Sequence, residues 1–414
     1  VTQVQTSRLT SNAYLLLGVL LIAISLRSPI TGVGPLLDLI REQLHLSATQ
    51  AGMLTTLPLL AFAFFSPLAS KLAQKKGLEH ALMISLFLLL TGITIRSQGS
   101  SISLFIGTLI IGAGIAIANV LLPSLMKRDF PNRVTTITSI YVLMMGVGSA
   151  LSASLAIPLT HVAESLSIKL IPTWAFSLGS IILFPIIAIL IWLPQMRNHT
   201  PAAENTSKLD SHSYLWRSPS AWHITLFLAL NSFLMYIFIS WFPTILVDTG
   251  YSHEQAGVIH GLLQLFTAVP AIVLIPIISR IQDKRLLSLG LTLLGMIAVI
   301  GLILAPSLAI LWAMLFGFGA GGGFILALAF ISLRTTDIHQ AATLSGMAQC
   351  LGYLLAATGP IIMGAIHEYS GSWTPPLILC AVANLLWSIF SLLASRSETI
   401  HKQPKQPKQS FQSI

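Results

Sequence analysis

Apolar residues run through this chain in blocks of about 20, separated by short polar intervals. Twelve such blocks stand out, at 13–37, 51–70, 80–97, 102–125, 135–160, 172–193, 222–247, 256–279, 286–305, 308–332, 340–366 and 374–395. A helix of that length crosses the hydrocarbon core of a bilayer, about 30 Å thick. Outer-membrane barrel strands would alternate apolar and polar over about 10 residues, and these blocks do not alternate. The pattern predicts an all-α polytopic membrane protein with twelve transmembrane helices. One long polar interval divides the blocks six and six. This gives an N-terminal six-helix half at 1–193, a linker at 194–221, a C-terminal six-helix half at 222–395 and a tail at 396–414. The tail contains "HKQPKQPKQS" and is expected to be disordered.

Composition supports the membrane assignment. Of 414 residues, 54% are hydrophobic and 8% charged. An ordinary soluble domain carries about 25% charged residues, and 8% could not cover the surface of a soluble fold this large. The net charge of +9 would suggest nucleic acid in a soluble domain. Here the cations sit in the polar intervals, and they sort by side. With the N-terminus in the cytoplasm, the inner intervals hold Arg8; Lys71, Lys75 and Lys76; Lys127, Arg128 and Arg133; Arg197, Lys208 and Arg217; Arg280, Lys284 and Arg285; Arg334; and Arg396, Lys402, Lys405 and Lys408. That is 18 of the 22 Lys and Arg, leaving Arg41, Arg96 and Lys169 outside and Arg27 within a span. The bias predicts both termini on the cytoplasmic side. It makes the bilayer, not nucleic acid, the partner of the positive charge. No small-residue cleavage site follows the first block, so a cleaved leader is not expected. Cys350 and Cys380 fall inside apolar blocks and read as small buried hydrophobes with no disulfide framework.

The halves repeat. "SATQAGML" at 47–54 recurs as "SHEQAGVI" at 252–259, an offset of 205. Gly112 and Gly114 recur at that offset as Gly317 and Gly319, and Lys75 as Arg280. The glycines read as places where helices pack closely. A nucleotide-binding reading of "GFGAGGG" fails, because the stretch lies within an apolar block with no strand before it. No Walker motif, metal-ligand cluster or nucleophilic triad stands out, so the expectation is a protein that is not an enzyme and needs no cofactor.

Arg27, in "IAISLRSPITGVGP" at 22–35, is the sharpest chemical feature. It lies about 20 Å along the first block, and a cation at mid-membrane costs about 2.5–3.5 kcal/mol on insertion scales. Aligning Pro35 with Pro243 sets Met235 opposite Arg27, so the second half does without this charge. That asymmetry favours a solute anchor over a cation held by helix-end carbonyls. Thr31 follows one turn later, and Pro29 and Pro35 are expected to kink the helix there. Asp38, near the end of the block, reads as a helix-end or gate residue. His260 and Gln264 share a face of the eighth block, as do Gln349 and Tyr353 in the eleventh. Such a histidine could hold a solute or carry a proton, or simply bond to a neighbouring helix.

Several longer stretches carry a family resemblance. They include "LRSPITGVGPLLD", "LTTLPLLAFAFFSPLA", "NVLLPSLMKRDFP", "HGLLQL", "LFGFGAGGGFILALAFISLR" and "HQAATLSGMAQCLGYLLAATGPIIMG". Together they resemble the cyanate/nitroimidazole branch of the major facilitator superfamily, over nearly all twelve blocks. The resemblance implies that fold, with two parallel six-helix halves rocking around a midplane site. It also implies a bacterial inner membrane and a cavity lined by spans 1, 4, 7 and 10 with 5, 8 and 11 beside them. On that basis Asn119, Tyr141, Asn231 and Tyr236 join Arg27, Thr31, His260, Gln264, Gln349 and Tyr353 as candidate solute-binding residues. Trp241 belongs either with them or in the outer aromatic belt. Departures from the wider superfamily are also visible. Ser70 stands where an Asp is usual in "SPLASKLAQKKGLEH", "MGVGSALSA" lacks the proline of drug/proton antiporters, and Thr108 stands near their Arg. The proton-exchange machinery of those antiporters is therefore not implied.

The resulting expectation is a monomeric secondary active transporter. It would export a small planar solute such as 2-nitroimidazole by alternating access, with protons as a candidate coupling ion. Transport of cyanate or another small anion is the alternative. A channel or a transporter-like sensor is a weaker one, since no signalling domain is visible.

Overall fold

The computed structural model describes residues 2–130, 134–167, 170–197, 212–278, 280–335, 338–396 and 400. Among them the helices are α1 (Thr2–Thr31), α2 (Leu37–Leu44), α3 (Ala48–Lys76), α4 (Leu78–Arg96), α5 (Ser101–Asp129), α6 (Val134–Ser165), α7 (Thr173–Ser180) and α8 (Leu183–Trp192) in the N-terminal half. The C-terminal half holds α9 (Pro219–Asp248), α10 (His253–Ile278), α11 (Arg285–Leu304), α12 (Ala309–Arg334), α13 (Ile338–Ser370) and α14 (Thr374–Arg396). They make twelve spans long and apolar enough to cross a membrane. The first consists of α1 with α2, the sixth of α7 with α8. Half of the linker (198–211) and most of the tail lie outside the described residues.

The sequence repeat is a repeat of structure. Ser47 and Gln50 form a reciprocal capping box at the start of α3, with bonds of 3.1 and 2.9 Å. Ser252 and Gln255 form the same box at the start of α10, at 3.2 and 3.1 Å. Each box satisfies two orphan helix donors, so "SATQ" and "SHEQ" are start signals for equivalent helices. The paired glycines also match. A side chain at Gly112 would strike Ala61 and Pro58 of α3, and one at Gly317 would strike Leu263 of α10. One at Gly114 would strike the Ser85 carbonyl of α4, and one at Gly319 the Leu291 carbonyl of α11. In each half the fourth span therefore lies against the second and third at backbone distance.

The first span breaks where its prolines stand. Helix α1 ends at Thr31, and a 3-10 turn over Gly34–Leu36 carries the chain into α2. Prolines 29 and 35 supply no N–H to hold the ladder together. The break in the sixth span was not expected. Pro185 leaves the carbonyls of the preceding turn without a donor, and 3-10 bonds from Ile182 to Gly179 and from Phe184 to Ile181 replace the α pattern.

Across the molecule α3 packs on α13 and α6 on α10. The halves are sealed at the end away from the two chain termini, called here the far end. Thr56 donates to the Ala357 carbonyl at 2.6 Å, Ser240 to Thr55 at 2.6 Å and Thr244 to Asp38 at 3.3 Å. Thr49 donates to Glu368 at 3.4 Å, and His161 pairs with Glu254 at 3.2 Å. Asp38 thus sits among far-end contacts, with Arg41 at 3.8 Å.

Three readings of single residues change. Cys350 is exposed, whereas Cys380 is buried as expected. Cys350 belongs to an outward stripe of α13 with Leu354 and Ile362, where a small apolar side chain meets lipid. Trp241 is fully buried and lies outside any surface aromatic belt, because its indole N–H donates to the Pro360 carbonyl at 2.8 Å across the α9–α13 contact. In the tail, Ile400 is packed. It is buried, its N–H donates to the Arg334 carbonyl, and its carbonyl accepts from Gln340, both at 2.8 Å.

Candidate substrate-binding site

Helix α1 delivers Arg27 to the centre of the bundle, one turn before the helix breaks. Arg27 is only half-buried although its neighbours on α1 are packed. It donates Nη1–H to the Thr267 hydroxyl on α10 at 3.1 Å. Thr267 in turn donates to the Gln264 carbonyl at 2.7 Å, which turns a hydroxyl lone pair toward the cation. No ion pair to Arg27 occurs among the described residues. A guanidinium has five N–H donors in a planar fork, so most of this one is free to meet an acceptor.

Three tyrosines lie within electrostatic reach of the cation: Tyr236 of α9, Tyr353 of α13 and Tyr141 of α6. They come from both halves. Tyr141 donates to the Asn119 side chain of α5 at 3.3 Å, which links a fifth helix to the group. The Tyr353 ring meets Phe62 of α3 edge-on, with centroids 5.4 Å apart. Asn119, Tyr236, Gln349 and Tyr353 are half-buried. Gln349, one turn from Tyr353, bonds to Ser345 at 2.8 Å.

The remaining sequence candidates stand apart from the cation. Thr31 is fully buried and bonds to the Arg27 and Ser149 carbonyls, which places its side chain in the α1–α6 contact. Asn231 is buried inside the C-terminal half, where its amide oxygen faces Gly323 of α12. His260 and Gln264 are fully buried and bond to each other at 2.8 Å. His260 also packs on Gly34 at the break of the first span, and its ring meets Phe242 edge-on. This pair lies one to two turns beyond Thr267 on α10, within the far-end seal.

Two residues escaped the sequence reading. Thr267 continues the His260–Gln264 face at the next helical step, so its signal was present. Arg96 had been counted with the outer intervals. It stands at the far end of α4 but is fully buried, and it donates to the Pro29 carbonyl at 2.6 Å and the Leu178 carbonyl at 3.5 Å. It therefore satisfies a carbonyl at the frayed end of α1, two residues from Arg27. Among the described residues no cluster of His, Cys, Asp and Glu could hold a metal.

Comparison with known proteins fits this geometry. The family model of the Major Facilitator Superfamily matches residues 15–357. The 2-nitroimidazole transporter of Escherichia coli (strain K12) is 46% identical over 386 residues, which is 93% of this chain and 96% of that one. An uncharacterized transporter of Bacillus subtilis (strain 168) is 40% identical over 95% of this chain and 96% of its own. The cyanate transport protein of E. coli is 27% identical over 87% and 91%. Among solved structures, a bacterial homologue of the human lysosomal transporter Spinster, inward-facing and occupied, aligns with a TM-score of 0.75 at 17% identity. The match covers 94% of this chain and 97% of that one. With twelve spans, two repeated halves and a cation set among tyrosines between them, the chain is a multi-pass membrane transporter that belongs to the Major Facilitator Superfamily.

Proposed function

We propose that this transporter carries a small planar solute of the 2-nitroimidazole type out of the cell by alternating access, with Arg27 as its anchor. The observation that carries the reading is the Arg27 guanidinium, which has one N–H tied to Thr267 and no carboxylate partner among the described residues. A planar fork of this kind pairs with two acceptor oxygens on one group, as a nitro group or carboxylate presents them. Tyr141, Tyr236 and Tyr353 offer ring faces for a small heterocycle and hydroxyls for its ring nitrogens. Asn119 and Gln349 border the same space. His260 and Gln264 act at the seal, while Thr31 and Asn231 support helix packing. The 46% identity with the 2-nitroimidazole transporter over nearly the whole chain supports this solute class.

The cation bias of the polar intervals supports cytoplasmic termini, and the identity with an E. coli transporter supports a bacterial inner membrane. In that orientation the far-end seal makes the structure inward-facing, ready to load a solute for export. Cyanate or another small anion is the second reading, favoured by the absence of an ion-pair partner for Arg27 among the described residues. A linear triatomic anion would need the guanidinium but not the tyrosine faces.

Proteoliposomes distinguish the two readings. Counterflow of 2-nitroimidazole is expected in the wild type and lost in Arg27→Ala at equal protein level. Substituting Tyr236 and Tyr353 by Leu should also abolish it. Cyanate counterflow that survives the tyrosine substitutions and exceeds that of 2-nitroimidazole would establish the anion reading instead. Proton coupling, with His260 as the carrier, requires that an imposed pH gradient drive accumulation. A wild-type protein indifferent to the gradient would refute it.

A further inference from the structure

The terminal ends of the two halves differ in charge at equivalent places. In the N-terminal half, Arg128 near the end of α5 is neutralised by Glu79 at the start of α4 and by Asp129, each at 2.8 Å. Donating hydrogen bonds to Asp129 and Glu79 raises the Arg128 guanidinium pKa above its ordinary value. At the repeat offset of 205, Glu79 corresponds to Lys284 and Asp129 to Arg334. Both acids of the first half are thus cations in the second. The C-terminal half has a cavity of about 470 Å³ at this place, lined by Gln282, Asp283, Lys284, Arg285, Leu333, Arg334, Ser395 and Arg396.

Among the described residues, four cations line this hollow against one carboxylate, and that carboxylate is engaged by its neighbour. Asp283 accepts from the Arg285 N–H at 3.0 Å and lies 3.7 Å from its guanidinium. Among the described residues, Lys284 and Arg334 bond to carbonyls, of Ile281 at 2.9 Å and Ser395 at 2.7 Å. The Arg334 Nε–H is buried and makes no hydrogen bond. Burial pulls Arg334 below its ordinary guanidinium value. The start of α11 adds the positive end of a 20-residue helix. Like charges gathered in a concave site repel one another, and a bound anion relieves that repulsion. The hollow opens at the ends of α11, α12 and α14, where the last apolar turns give way to polar residues. That is the depth of lipid headgroups.

We infer that this pocket binds a phosphate group, the headgroup of an anionic phospholipid, between Lys284, Arg285, Arg334 and Arg396.

The test uses the purified full chain and native mass spectrometry with defined lipids. Phosphatidylglycerol should bind roughly tenfold more tightly than phosphatidylcholine, in keeping with several charge-assisted hydrogen bonds. Lys284→Gln combined with Arg334→Gln should erase that preference, and Lys284→Gln alone, which leaves the Arg334–Ser395 bond in place, should halve it or more. Lys71→Gln with Lys75→Gln removes the same charge from the terminal end of the other half and should leave the preference intact. An undiminished preference in the Lys284/Arg334 variant, or an equal loss in the Lys71/Lys75 variant, overturns the inference. Binding of inorganic phosphate that depends on Lys284 and Arg334, without retention of phosphatidylglycerol, overturns the lipid as the source.

Discussion

Arg27 reaches the middle of a membrane bundle with a single hydrogen bond to protein among the described residues. Holding a cation there costs about 2.5–3.5 kcal/mol, and one neutral hydroxyl offsets only part of it. On the proposed reading, a docked acceptor recovers the rest. Thr267 determines which edge of the fork stays free. Because Thr267 also donates to Gln264, its oxygen can only accept from Arg27. Thr267→Val keeps the shape and removes the acceptor, whereas Thr267→Ser keeps the acceptor and loses a methyl. If orientation matters, Val weakens solute affinity about tenfold, the usual size for a hydrogen bond to a charged group, and Ser restores it. If packing matters, Val is the milder change. Equilibrium binding of 2-nitroimidazole to the two variants decides between them.

At the scale of elements, the break between α1 and α2 places Arg27 and is itself held from outside. Arg96 reaches from α4 to the Pro29 carbonyl at that break. Arg96→Met removes the donor and leaves a buried carbonyl unsatisfied, a loss of about 1–3 kcal/mol. A lower thermal unfolding midpoint in detergent, together with weaker solute binding, is the expected outcome. An unchanged midpoint would show that water takes over the bond. The sequence made the twelve spans, the kink and the helix starts legible because each has a local cause: length, proline, a Ser-x-x-Gln cap. Arg96 was not legible, since a cation at the end of an apolar block looks like a loop residue until the neighbouring helix is seen. The same holds for Trp241 and Cys350. Periodicity shows which residues share a face but not whether that face meets lipid or protein.

At the scale of the molecule, the two halves share helix starts and close-packed glycines but differ in charge: the proline alignment sets Arg27 against Met235, and an ion pair stands against a cluster of cations at the terminal end. All but one of the described hydrogen bonds between the halves lie in the far-end seal, and the exception joins Arg27 to Thr267. Alternating access requires that seal to open. Cysteines at Thr49 and Glu368, joined by a short thiol cross-linker in a Cys350→Ser, Cys380→Ser background, should stop transport while leaving solute binding from the terminal side intact. Continued transport after cross-linking would mean that the seal is not a gate. The candidate site was legible as a set of polar side chains on cavity-facing spans, but which of them converge was not, because convergence depends on helix rotation. The three tyrosines and Asn119 gather near Arg27, while Thr31 and Asn231 turn into helix contacts. The claim at the centre is that Arg27 holds the solute by its fork. Titration of 2-nitroimidazole into purified wild type, Arg27→Lys and Arg27→Ala tests it most directly. Lys retains the charge without the fork, so affinity should fall about tenfold or more in Lys and beyond detection in Ala. Equal affinity in all three proteins would contradict it.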